Sequence, residues 1–239
     1  MKLSIIIPVF NEEKTIQQVL DRVVAVAFPG VTKEILVVND GSKDTTAEKI
    51  EEFIKKTKPK QFTFINQKEN KGKGAAVKVG IEAATGDYII IQDADLEYNP
   101  KDIAKLLPPV LEKKADVVYG TRLDKLPHQG TMQTGYYVAH FLGNRFLSMV
   151  TSVLYGQWLT DMETCYKLFP KDVMKKIQLY SRGFEFEPEI TAKLLKLGLR
   201  FTEVPITTEP RGYEEGKKLV ATKEGPKALW TLVKYRFSE

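Results

Sequence analysis

Residues 89–100 read IIIQDADLEYNP: three isoleucines, one polar step, then carboxylates on every second residue at Asp93, Asp95 and Glu97. The isoleucines suit a strand buried on both faces, as in a parallel sheet. Ending such a strand in three like charges is costly unless something positive lies among them. In α/β sheets, ligands bind beyond the carboxyl ends of the strands. This one stretch therefore points both to a fold class and to the end of the sheet where chemistry is expected.

Outward from it, LSIIIPVF (3–10), EILVVND (34–40), FTFIN (62–66), YIIIQDAD (88–95) and ADVVYG (115–120) read as buried strands. Helical stretches lie between them: EEKTIQQVLDRVVAVA (12–27) with Asn11 as its N-cap, DTTAEKIEEFIKK (44–56), GKGAAVKVGIEAA (72–84), and PKDIAKLLPPVLEKK (100–114) with Pro100 near its start. The alternation predicts a doubly wound α/β fold with a mainly parallel sheet. The polar residues closing the strands become the candidates: Asn11, Glu12, Asp40, Asn66, Asp93 to Glu97, and Arg122.

The chain has 239 residues, 43% hydrophobic and 28% charged, with net charge +5 and one cysteine, Cys165. That length and composition suit one α/β domain with a substantial core. A single cysteine excludes an internal disulfide framework and fits a reducing compartment. Met1 and Lys2 lead straight into a strand-like run, so no secretory leader and a cytoplasmic location are expected. The basic residues are dispersed among acids, which argues against a nucleic-acid module.

The first turn, PVFNEE, lacks the glycines of a dinucleotide fingerprint, and no GxxxxGK[ST] phosphate loop occurs. GKGAAV (72–77) opens a helix, either towards an anion or as an ordinary flexible turn. In an extended segment residues 93, 95 and 97 point the same way, so a bend after the strand gathers oxygens for Mg²⁺ or Mn²⁺. A solvated strand end is the alternative.

LSIIIPVFNEEKTI, VVNDGSKDTT, NKGKGAAVKVGIEAATGDYIIIQDADLEYNP and VVYGTR together resemble the family 2 glycosyltransferases. Within these, the chain is similar to the polyprenyl-phosphate group that holds the dolichol-phosphate mannose synthases and glucosyltransferases. The likeness continues through LTDMETCYKLF, RGFEFEPEITAKLLKLGLRFTEVPI and PRGYEEGKKL, nearly the whole chain. It implies one GT-A domain over residues 1–239, with a nucleotide-sugar half (1–122) and an acceptor half (123–239). A donor of GDP- or UDP-sugar type is implied, with Pro8, Phe10, Glu12 and Asp40 walling its nucleoside and Asp93 and Ala94 beside its ribose or sugar. Asp95 and Glu97 match the metal ligands of a D-x-D-x-[QE] pattern, and Arg122 the approach to a phosphate. Arg211 and Lys217, with Lys218, are expected on a glycine-bearing loop over the donor. Asp161, Glu163 and Thr164 fall on the acceptor side, with Asp161 a catalytic candidate if the acceptor is a hydroxyl. Where relatives carry a further arginine after Arg122, this chain has LDKLPHQG, leaving Lys125 or His128 to substitute.

Residues 125–160 contain no acid and many aromatics, but no uninterrupted apolar span of about twenty residues. Together with PKALWTLVKYRF (226–237) they are expected as amphipathic helices, either lying on a membrane surface or packed on the sheet. The resemblance implies a peripheral enzyme on the cytoplasmic face. It would carry out metal-assisted, inverting transfer of a sugar to a polyprenyl phosphate by single displacement. Transfer to a glycan hydroxyl, nucleotidyl transfer, and nucleotide-sugar binding without turnover are the rival readings.

Overall fold

β1 (Lys2–Val9) is buried from Leu3 to Val9 and lies in the interior of the sheet. It pairs in parallel with β2 (Thr32–Asn39) on one side and β4 (Tyr88–Ile91) on the other, and β2 pairs in parallel with β3 (Phe62–Asn66). The computed structural model describes residues 1–123, 135–209 and 221–238, and the backbone alone of 135–140 and 221–222. β5 (Val117–Thr121) and β7 (Phe201–Pro205) form a second parallel pair. β6 (Lys167–Pro170) runs antiparallel between β4 and β5, joining the two sets, among the described residues, into one seven-stranded sheet of order β3-β2-β1-β4-β6-β5-β7. Strands from both halves of the chain thus share one sheet.

Continuous apolar runs form the central strands because helices cover both faces. α1 (Ile16–Ala25) buries Ile16, Val19, Leu20 and Val23, the i, i+3, i+4, i+7 stripe of a helix docked on one face. α2 (Thr46–Thr57) lies beside α1, and α3 (Lys73–Ala83) packs on β1 and β2. Gly80 permits α3 that approach, since a Cβ there would lie 2.4 Å from the Ile6 side chain. A 3-10 turn (Pro100–Asp102) leads into α4 (Ile103–Leu111). α6 (Phe186–Lys196) is buried along most of its length. α5 (Gly135–Tyr155) and α7 (Ala221–Phe237) pack on each other around Leu147, Met162, Ala228 and Leu232. Among the described residues no helix is long and apolar enough to cross a membrane.

Two local expectations are corrected. Asn11 is not the N-cap of α1: its φ is +49°, Thr15 occupies the N-cap position without a side-chain cap bond, and the Asn11 side chain accepts from the Lys43 amide at 2.8 Å. The fourth strand ends at Ile91, not at residue 95, and Leu96 adopts φ +68°. Asp93, Asp95 and Glu97 therefore lie on a turn and not on one face of an extended strand. β6 and β7 were not among the expected strands.

Candidate active site at the carboxyl ends of the strands

The register Val9↔Asn39↔Asn66 ends β1, β2 and β3 level, and Ile6↔Ile91 sets the end of β4 beside β1, so the residues that follow β1, β2 and β4 emerge on the same side of the sheet. Beyond them lies a cavity of about 400 Å³. Pro8, Phe10 and Glu12 line it from β1 and its loop, and Asp40 from the end of β2. The turn after β4 contributes Asp93, Ala94, Asp95 and Glu97, and the end of β5 contributes Arg122. Loop pins maintain this wall. The Glu12 amide donates to Thr46 Oγ1 at 2.9 Å, and the Thr15 hydroxyl lies 2.7 Å from the Ala94 carbonyl and 2.9 Å from the Glu12 carboxylate.

Asp40 spends both oxygens on backbone, accepting from the amides of Lys71 (2.9 Å) and Gly72 (2.8 Å). It thereby holds the segment that opens α3 against the cavity. The glycines of that segment are there for close approach. A Cβ on Gly72 would meet the Arg182 carbonyl at 2.3 Å, and one on Gly74 the Ser181 carbonyl at 2.8 Å. Between them, Lys73 reaches the cavity and supplies the positive partner the carboxylates require.

Lys73 Nζ lies 2.7 Å from Asp93 and 3.3 Å from Glu187, and the fully buried Lys167 binds the other Glu187 oxygen at 2.6 Å. Burial alone would raise the Asp93 carboxyl. Lys73, the Cys165 thiol and Arg122 outweigh it and hold Asp93 below the usual carboxylate range. Burial likewise opposes the Lys73 charge, but Asp93 and Glu187 reverse that and raise it well above the ordinary lysine value. The triplet is thus divided. Asp93 belongs to an ion network, whereas the Glu97 amide donates to Asp95 Oδ1 at 3.1 Å and both these side chains line the cavity.

Arg122 lies 5.8 Å from the centre of the Tyr98 ring and is gripped by Asp161: Nε to Oδ2 at 2.7 Å and Nη2 to Oδ1 at 2.8 Å, with the Arg122 amide also on Oδ2 at 2.9 Å. Asp161 is wholly buried and does not line the cavity. Asp161, a catalytic candidate for a hydroxyl acceptor, spends both its oxygens here on Arg122. The amides of Thr160 and Asp161 donate in turn to Glu203 of β7, at 2.7 and 3.0 Å.

A second cavity of about 380 Å³ lies between α5 and α7, and Arg122, Glu163 and Phe184 line both spaces. Its other walls include Phe146 and Leu147 of α5 and Pro226, Ala228 and Leu229 of α7. At the junction, Glu163 Oε1 is buried with no hydrogen-bond partner among the described residues. Burial pushes the Glu163 carboxyl up to about 7, against the pull of Lys167.

Arg211, Lys217, Lys218, Lys125 and His128 lie outside the described residues. The sequence reading overlooked Lys73, Tyr98 and Lys167. The lysine inside GKGAAV was a usable signal for the first, since a cation in that turn answers the charge of the carboxylates. Lys167 carried none, because its partner Glu187 is twenty residues away.

Comparison with known proteins gives a consistent set of likenesses. The family model described as Glycosyl transferase family 2 matches residues 4–177. The uncharacterized protein MJ0544 of Methanocaldococcus jannaschii is 30% identical over 244 residues, covering 98% of this chain and 99% of that protein. The low-salt glycan biosynthesis hexosyltransferase Agl6 of Haloferax volcanii is 30% identical over 209 residues, 87% of this chain but 48% of Agl6, so the chain spans about half that relative. Among solved structures, glucosyl-3-phosphoglycerate synthase of Mycobacterium tuberculosis, in complex with Mn²⁺, UDP and phosphoglyceric acid, superposes with TM-score 0.73 at 18% identity. The match covers 100% of this chain and 79% of that one.

Proposed function

The chain belongs to glycosyltransferase family 2 and has a GT-A fold, and from that premise we propose that it transfers a sugar from a nucleoside-diphosphate donor to a polyprenyl phosphate at a membrane surface. One observation carries this reading: the strand-end cavity meets a second cavity at Arg122 and Glu163, whose walls combine Phe146, Leu147, Pro226, Ala228 and Leu229 with the charged Glu185 and Glu224. A donor in the first and an acceptor with an anionic head and apolar tail in the second would bring their reacting atoms to that junction. The outer surface of the helices that form the second cavity supports a lipid source. Leu142, Phe146, Met149 and Val153 of α5 and Trp230 and Phe237 of α7 are exposed. Attachment as a peripheral protein at the cytoplasmic face follows from this reading.

The donor side rests on the family and on the cavity. Phe10 offers an aromatic face to a base, while Glu12 and Asp93 offer acceptors to ribose or sugar hydroxyls. The UDP and Mn²⁺ of the mycobacterial synthase and the hexosyltransferase name of Agl6 support a nucleotide sugar and a divalent cation. Among the described residues, no three His, Cys, Asp or Glu side chains converge as a metal cage. Asp95 and Glu97, both lining the cavity, fit Mg²⁺ or Mn²⁺, which take one or two carboxylates and complete their shell with waters and substrate phosphates. The cation, when bound, supplies positive charge to the diphosphate leaving group.

This chain's own residues do the rest. Lys73 keeps Asp93 ionised and directed at the cavity, Asp40 holds the α3 entrance, and Asp161, by taking the Nε and Nη2 edge of Arg122, fixes the guanidinium so that its remaining N–H groups are left for phosphate oxygens. A phosphate monoester is largely ionised near neutral pH and needs no base, which agrees with the complete engagement of Asp161. A hydroxyl acceptor is the second reading. Glu163 favours it, because a carboxyl with pKa about 7 at the junction has the strength of a general base.

The test is turnover of GDP- and UDP-sugars with Mg²⁺ or Mn²⁺, with and without a polyprenyl phosphate, in wild type and Asp95→Ala. Lipid- and metal-dependent glycosyl phospholipid formation, reduced at least ~100-fold in the variant, is expected. Nucleoside diphosphate release indifferent to the lipid would overturn the acceptor.

A further inference from the structure

The wall between the two cavities contains two polar side chains of opposite character. Arg122 is fully engaged with Asp161 along one edge, Nε and Nη2. Glu163 lines both cavities, and its Oε1 is buried with no hydrogen-bond partner among the described residues. A buried polar atom without a partner is costly, and a ligand that pairs with it recovers that cost. An ionised carboxylate beside an anionic acceptor would repel it, whereas a protonated carboxyl presents an O–H donor to a phosphate oxygen.

Resting on the lipid-phosphate reading above, we propose that Glu163 is a specificity-determining residue for the acceptor head, donating a hydrogen bond to the phosphate monoester that Arg122 pairs with from the other side. The neutral acid lets the site hold a dianion against one arginine without adding a like charge.

The surroundings agree with a protonated Glu163. Burial raises its carboxyl to about 7. The charged groups acting on it are Lys167 of β6, Glu187 of α6, Arg122 after β5 and Asp161 on its own loop. Glu185 and Glu224 line the second cavity with it. Two carboxylates raise its pKa and two cations lower it, so burial decides the outcome. Nearby Lys73, Cys165 and Tyr98 are all raised well above their ordinary values and keep one protonation state across the neutral range.

The experiment is the KM for polyprenyl phosphate from pH 6 to 9, with the donor identified by the panel above, in wild type, Glu163→Gln and Glu163→Ala. Above pH 7 the acceptor is already a dianion, because its second pKa is about 6. A further rise in KM, approaching roughly tenfold per pH unit, is therefore expected from loss of the Glu163 proton. Glutamine, a donor that cannot ionise, should flatten that rise, while alanine should raise KM about tenfold at pH 6. Donor KM and thermal melting report whether either variant is damaged elsewhere.

A flat wild-type profile overturns the inference without using a variant, and so does an alkaline rise that persists in Glu163→Gln. If Glu163→Gln instead loses kcat with KM unmoved, the residue is a base for a hydroxyl and the inference fails. If wild type consumes donor but forms no glycosyl phospholipid, the lipid-phosphate reading fails first and takes this inference with it.

Discussion

Asp161 illustrates what a buried charge does when it is fully paired. Its carboxylate accepts three hydrogen bonds from Arg122, two from the guanidinium and one from the backbone amide, and none of its surface is exposed. Removing one partner of such a pair leaves the other charge buried alone. Asp161→Asn is therefore expected to cost about 3 kcal/mol in urea unfolding. It should also raise the KM for any phosphate substrate, since the guanidinium loses its fixed aim. Unchanged stability would mean that solvent reaches the pair. The pairing could not be read from sequence: Arg122 and Asp161 stand 39 residues apart, and both are equally consistent with surface loops. The strand-end acids were legible because their spacing after an isoleucine run is a local pattern, although Lys73 as the partner of Asp93 was not.

Elements are held in register by Glu34, on β2 beside the start of β1. It accepts from the Ser4 hydroxyl of β1 and from Thr85 and Gly86 in the turn before β4, and pairs with Lys2 at 2.7 Å. Burial would raise this carboxyl, but Lys2, Ser4 and Thr85 outweigh it and bring it down to about 2. A lowered native value means the folded state binds the proton less readily than the unfolded chain does. The stabilisation is thus present above the unfolded value near 4.5 and is lost as pH falls towards 2. Glu34→Gln is expected to cost about 1 to 2 kcal/mol at pH 7, discounted because Lys2 is partly exposed, and the gap from wild type should close by pH 2. Parallel urea titrations at the two pH values check it. Element boundaries were less legible than element existence. Asn11 resembled a helix cap, but the loops after β1 and β2 recruit its side chain. β6, four residues long, has too short an apolar run to announce itself.

The molecule as a whole presents an apolar surface on α5 and α7, remote in sequence from the strand-end acids and joined to them through the second cavity. On the proposed reading, Leu142→Glu with Val153→Glu should cut sedimentation with anionic vesicles at least ~10-fold while the melting temperature stays within about 2 °C, because Val153 is 79% exposed. Equal vesicle binding by the double variant would remove the membrane from the reading. The sequence alone determined the buried parallel strands, their helical connections and the polar residues that close them, since hydrophobic period and strand-end chemistry are local properties of the chain. Only the tertiary structure decided that β6 joins two strand sets into one sheet, that Lys73 neutralises Asp93, that Asp161 aims Arg122, and that Glu163 stands between two cavities. Each of those facts depends on groups brought together from distant positions and on how much water is excluded around them, and burial, which sets both the pairing of charges and the protonation of Glu163, exists only once the chain has folded.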